Sequence, residues 1–222
     1  MNKTKIPWAT HTWNPIVGCS PCSDGCSRCY AAAISKRFHL PWGSAHFMPE
    51  RLSQPAKEKK PARIFVCSMS DLGHETVEKQ WREMIYQVMR DTPWHAYLIL
   101  TKRPAALACD VIPENAWIGV TAENQEQAEK RIPILLSIPA KVHFVSVEPM
   151  LEEMSLTRFL PTGIIPNGLG HHQKPYLELV IAGPENGPGA RECRDEWIDR
   201  LAAESPCFFD KRDNFTRREY PV

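Results

Sequence analysis

The sequence predicts an α/β fold built from repeated βα units, and three observations carry that reading. Five short runs, at 63–68, 96–101, 116–121, 142–147 and 177–182, are almost continuously apolar, as parallel strands covered on both faces are. Helical periods lie between them. Each run then passes straight into polar or charged residues, and parallel α/β folds carry their sites at the carboxyl ends of strands. Six units are too few to close an eight-stranded barrel, which takes about 250 residues. A partial, about six-stranded parallel barrel is therefore expected, with an open doubly wound sheet as the alternative. The 222 residues suffice for one substantial core, so a single domain over 1–222 is expected.

The elements follow in order. Residues 12–17 read as a first strand feeding a cysteine-rich loop at 18–30, and 30–38 reads as a helix. Val77, Trp81, Met84, Ile85, Val88 and Met89 form an apolar stripe with charge opposite it, which predicts a helix. Ala128, Ile132, Leu135 and Leu136 repeat the pattern, with Pro133 predicting a break or kink. Trp197, Ile198, Leu201 and Ala202 give a last amphipathic helix. The 20 prolines cluster between these segments and fit short elements with sharp junctions. A Gly/Pro-rich stretch at 161–175, containing His171 and His172, reads as a loop insertion. His143 reads as a core histidine, and His74 is the one histidine near the strand ends.

Composition excludes several classes. A net charge of +1 gives no global basic field for nucleic acid. No apolar run approaches the ~20 residues that span a bilayer. The chain is polar from Met1 to Lys5 with no apolar run after it, which predicts no secretory leader and a reducing cytoplasmic location.

Four of the eight cysteines, Cys19, Cys22, Cys26 and Cys29, fall on one Ser/Pro/Gly/Asp loop. From Cys22 the spacing is C-x3-C-x2-C, by which radical S-adenosylmethionine (SAM) enzymes hold a [4Fe–4S] cluster with one iron open for SAM; thiolates on short loops are the usual ligands of such clusters. A four-thiolate zinc site competes, although zinc sites normally separate their two Cys pairs by a dozen residues or more. Burial as inert thiols accounts for Cys67 and Cys109 but not for four cysteines on a polar loop.

The strand ends supply candidate cofactor-binding residues: Asp71 in Ser68-Met69-Ser70-Asp71, Lys102 and Arg103, Glu123 beside Asn124, Glu148, and Glu185, Asn186 and Gly187. Asp71 and Asn124 taken singly read as caps. The glycine-rich loop 183–191 allows close backbone approach to a ligand. It lacks both the dinucleotide and the P-loop spacing.

These residues together resemble a family of bacteriophage and prophage proteins of undefined function, described as three-cysteine-motif, radical-SAM-like proteins. The likeness runs through Trp13-Asn14-Pro15, the cysteine loop, Pro49-Glu50-Arg51-Leu52, Ser68-Met69-Ser70-Asp71-Leu72, Leu100-Thr101-Lys102-Arg103-Pro104, Trp117-Ile118-Gly119-Val120, Arg131-Ile132-Pro133, Phe144-Val145-Ser146-Val147-Glu148-Pro149 and 185–191. The family spacing, C-x6-C-x2-C, maps onto Cys19, Cys26 and Cys29, with Cys22 as the alternative to Cys19. The chain departs from the family at Gly183-Pro184-Glu185-Asn186-Gly187, where Gly-Gly-Glu-Ser-Gly is usual. It departs again at 207–212, where a Phe-Phe-Phe-Lys-Gln-Trp-Gly-like strand is usual.

The resemblance implies a radical-SAM-type partial barrel, a [4Fe–4S] cluster, cleavage of SAM and hydrogen abstraction from a substrate the sequence does not identify. Asp71, Lys102, Arg103, Glu123, Glu148 and Glu185 would orient SAM or substrate, and an electron donor is implied as a partner. The phage setting points to a host-cell cytoplasm and leaves nucleotide or nucleic-acid modification open. The competing reading is a zinc-stabilised nucleic-acid- or protein-binding module using Lys57, Lys59, Lys60 and Arg63.

Overall fold

The computed structural model describes residues 1–161, 175–187, 189–213 and 217–221. The chain divides into two compact units, Met1–Ile118 with Ile138–Lys141, and Gly119–Ser137 with Val142–Val222.

In the first unit β1 (Asn2–Lys3) runs antiparallel to β2 (His11–Trp13). β3 (Ile16–Val17) leads into the cysteine loop and α1 (Tyr30–Phe38), and the chain returns through β4 (His46–Phe47), antiparallel to β3. The cysteines thus sit on an excursion closed at its base by a two-stranded ribbon. After α2 (Gln54–Lys57) come β5 (Arg63–Val66), α3 (Lys79–Asp91) and β6 (Ala96–Thr101). β2, β5 and β6 pair in parallel, with Thr12 opposite Phe65 and Phe65 opposite Leu98. Trp13, Ile64, Tyr97, Leu98 and Ile99 are fully buried, as the continuous apolar runs require.

β7 (Ala116–Thr121) carries the chain onward to α4 (Gln125–Leu136), β8 (Val142–Val147), β9 (Leu179–Ala182), α5 (Asp195–Glu204) and β10 (Phe208–Asp210). β8, β9 and β10 pair in parallel. Together the strands make a mixed α/β structure with a mostly parallel eight-stranded sheet, ordered β1-β2-β5-β6-β7-β8-β9-β10. Among the described residues no helix is long and apolar enough to cross a membrane.

Several expectations shift in detail. α3 buries Arg82, Ile85, Tyr86 and Met89 and leaves Met84 exposed, so its inner face is turned from the apolar stripe. The cause is Asp110, which accepts from Arg82 Nε at 2.6 Å and from the Tyr86 hydroxyl at 3.0 Å, so both polar side chains are satisfied inside. α4 runs through Pro133 rather than breaking there; Ala128, Ile132 and Leu135, all fully buried, offset the roughly 3 kcal/mol a mid-helix proline costs. Cys67 is buried, but Cys109 is exposed, because Leu107 takes the core position in that turn. The insertion expected at 161–175, apart from its two end residues, lies outside the described residues.

Candidate functional site

In the first unit the cysteine loop is bonded onto the ends of the neighbouring parallel strands. Asn14, one residue past β2, accepts through Oδ1 from Ser68 Oγ (3.2 Å) and Met69 N (3.0 Å) just beyond β5. Gly18 N–H donates to Met69 O (3.0 Å), and Ser70 Oγ donates to Gly18 O (2.6 Å). Gly18 has φ +87°, and a Cβ there would stand 2.2 Å from Ser44 O, so only glycine fits. Arg51 completes the base: it accepts from Trp13 Nε1 (2.8 Å) and donates to Asn14 O (3.0 Å).

Asp71 is a clamp between two strand ends. Oδ1 accepts from Gly73 N (2.8 Å) and Thr101 Oγ1 (2.5 Å), and Oδ2 from Lys102 N (3.0 Å) and Arg103 Nη1 (3.4 Å). A Cβ on Gly73 would lie 2.5 Å from Arg103 O, so glycine permits this close approach. With four donors on its two oxygens, Asp71 is committed to structure. No helix starts at Asp71, so it caps none; it closes the turn at Gly73 and holds the Lys102 backbone and the Arg103 guanidinium.

Arg103 is aimed at the cysteine loop. Its guanidinium donates to Ser20 O (2.9 Å), Ser20 Oγ (3.2 Å) and Cys19 Sγ (3.7 Å). Burial pushes the Cys19 thiol up, with Asp71 adding to the rise and Arg103 opposing it. Cys26 behaves oppositely. The Cys22 thiol donates to it and, helped by the Lys102 charge, outweighs burial, pulling its thiol down to about 5. Cys29 is the N-cap of α1, its N–H donating to Cys26 O at 3.2 Å.

His74, the one histidine expected near the strand ends, joins this network together with Ser20, which no motif announced. Thr76 N–H donates to His74 Nδ1 (3.2 Å), which makes that nitrogen an acceptor; Nε2 therefore carries the proton and donates to Ser20 Oγ (2.8 Å). A neutral His74 donating to Ser20 positions the loop and is not a base for that hydroxyl.

None of the four loop cysteines is in a disulfide. Among the described residues no three or more His, Cys, Asp or Glu side chains form a group that could hold a metal ion. The four thiols share one anchored loop, with Arg103 donating to Cys19 Sγ and the Lys102 charge helping to lower the Cys26 thiol.

The acids predicted in the second unit are each matched by a cation of the same unit. Glu123, fully buried, accepts from Arg131 Nη1 at 2.8 Å, and the same nitrogen donates to Thr121 O at 2.7 Å. Glu148 pairs with Lys211. Glu185 accepts from Arg191 N (2.9 Å), Nε (3.0 Å) and Nη2 (2.5 Å), closing the glycine-rich loop on itself. Asn186 and Gly187 are exposed, and Gly187, at φ +99°, makes the turn. Asn124 caps α4, its Oδ1 accepting from Gln127 N at 2.9 Å. The departure at 207–212 is accommodated: β10 forms, and Arg212 bonds Asp210, Asp195 and Asp199. Lys211 was visible only as part of that departing segment.

Over residues 3–216 the chain matches the family described as protein of unknown function (DUF5131), and it belongs to that family. No curated protein and no solved structure matches it.

Proposed function

We propose that this chain is a radical SAM enzyme whose [4Fe–4S] cluster is held by Cys19, Cys26 and Cys29, with Cys22 as the alternative to Cys19, on a partial barrel of βα units. The observation that carries the reading is the cysteine loop itself: it leaves the end of the first parallel strand and is bonded onto the next strand ends beside Arg103 and Lys102. When bound, the cluster and SAM would supply one-electron cleavage of SAM and the hydrogen abstraction that follows. The protein's part is to bind and orient. Arg103 holds the Cys19 side of the loop, and Lys102 favours the Cys26 thiolate. The phage setting implied by the family resemblance makes a nucleotide or nucleic acid the substrate class to try first.

Anaerobic reconstitution should load about four irons per chain, and dithionite with SAM should then yield 5′-deoxyadenosine. Cys26→Ala and Cys29→Ala should each abolish iron uptake. Cys19→Ala should do the same, while Cys22→Ala keeps its iron. A protein that takes zinc alone, with all four substitutions weakening it equally, would overturn the enzyme in favour of a zinc-stabilised binding module.

A further inference from the structure

The family spacing uses Cys19, Cys26 and Cys29 and leaves Cys22 over. The structure gives that fourth cysteine a definite neighbour. The short turn Asp24–Cys26 is closed by Cys26 N–H on Ser23 O (2.9 Å) and by Ser27 N–H on Asp24 O (3.2 Å), which folds the chain back on itself. Cys26 Sγ is thereby brought over residues 22 and 23. There it accepts from both backbone N–H groups and from the Cys22 thiol. An inert structural thiol asks for no such convergence of donors.

The other two loop cysteines are engaged elsewhere. Cys19 Sγ donates to Ser20 O at 3.5 Å and accepts from Arg103 Nη1 at 3.7 Å. Cys29 meets Cys26 through the backbone, its N–H donating to Cys26 O at 3.2 Å. Of the pairs that the four cysteines allow, the contacts single out Cys22 with Cys26. Cys22 is exposed and Cys26 half-buried, so neither residue is sealed from solvent.

We propose that Cys22 and Cys26 form a thiol–disulfide exchange site whose substrate is a low-molecular-weight disulfide. The inference goes beyond the enzyme reading and stands on the metal-free loop alone. The thiolate is the attacking form, and donors that converge on one sulfur favour it, so Cys26 attacks. Its Sγ bonds one sulfur of the substrate, whose S–S bond breaks and expels the first thiolate. Cys22 then gives its proton to solvent, bonds Cys26 Sγ and expels the second thiolate. The cysteine pair loses two electrons and the external disulfide gains them. Sulfurs in a disulfide stand about 2.05 Å apart, and the S–H···S contact already points one at the other. A dithiol reverses the change.

The test takes the purified chain, stripped of metal with a chelator and reduced, and adds glutathione disulfide under anaerobic conditions. Two glutathiones should be released per chain as one protein disulfide forms. Asp24 lies between the two cysteines, so cleavage before it should leave fragments that stay joined until a dithiol is added. Cys22→Ser should stop at a glutathione adduct on Cys26, with one glutathione released. Cys26→Ser should slow the first release about tenfold or more. A disulfide joining Cys26 to Cys19 or Cys29, or equal first-release rates in the two variants, would overturn the proposal. The parent's linkage map needs no variant, so it decides the pairing even if a substitution disturbs the loop. Iron uptake is read in parallel. A chain that forms this disulfide but loads no iron keeps the exchange site and loses the enzyme reading. One that loads iron, yet pairs its stripped thiols otherwise, keeps the enzyme and loses the site.

Discussion

The strand ends of the first unit and those of the second solve the same problem in opposite ways. In the second unit each candidate acid is answered by a cation from a distant or neighbouring turn: Glu123 by Arg131, Glu148 by Lys211, Glu185 by Arg191. In the first unit the acid Asp71 is saturated mainly by backbone and hydroxyl donors, and Arg103 divides itself among Asp71, Glu75, Ser20 and the Cys19 thiol. Unpaired carboxylates are costly to bury, so they are neutralised within the fold. Thiols are cheaper to bury than carboxylates, so the cysteine loop needs no matched cation for each side chain.

The contrast is broken or sharpened most forcefully by removing one cation from each unit. Arg131→Met removes the arginine from the buried Glu123 and should cost about 3–5 kcal/mol in urea denaturation, the range for breaking a buried ion pair. Arg103→Met should cost far less, about 1–2 kcal/mol, because Asp71 keeps three other donors. Equal losses would mean that Arg103 is as structural as Arg131 and that the two regions do not differ in kind.

The same contrast explains what could be read from the sequence. The five apolar runs appear as strands because continuous hydrophobicity is a local signal, and 30–38 and 195–204 appear as helices for the same reason. Ile85 and Met89 of the expected stripe are buried on α3, but Arg82 and Tyr86 join them because of Asp110, which lies 28 residues from Arg82. Pro133 does not end α4, because a local penalty lost to tertiary burial. At the candidate site the cysteine cluster was plain, being local in sequence. The partners that turn Asp71, Glu123 and Glu148 into structural residues were not, since nothing in the sequence near Glu148 announces Lys211. Short ribbon strands such as β4, two residues long, carry no periodicity at all.

A second effect lies within the loop. With its thiol at about 5, Cys26 should be alkylated by iodoacetamide with a half-maximum near that pH, while Cys67, pushed to about 12 by burial, should resist throughout. Cys22→Ala removes the largest cause of the lowering, so the Cys26 profile should move to higher pH. Peptide mapping of the alkylated, metal-free protein reads both changes. An unmoved profile would mean that Lys102 and the backbone N–H groups of residues 22 and 23 set the thiolate without the Cys22 thiol.

The smallest effect concerns the histidine that fastens the loop. Burial, with Arg103 adding to it, lowers His74 below its ordinary 6.5. Below pH 6.5 the unfolded chain therefore binds a proton that the folded chain resists. The contribution is intact above that pH and is lost as pH falls from 6.5 through the lowered folded value. Protonation also replaces the acceptor at Nδ1 with a donor facing Thr76 N–H, so the hydrogen-bonded chain from Thr76 through His74 to Ser20 cannot survive it. His74→Gln keeps a donor for Ser20 but cannot titrate. Urea midpoints taken between about pH 7.5 and 5 should fall less steeply in His74→Gln than in the parent. If the two slopes coincide, titration of His74 does not govern this part of the stability, and the cysteine loop is held by Asn14, Gly18 and Arg103 without it.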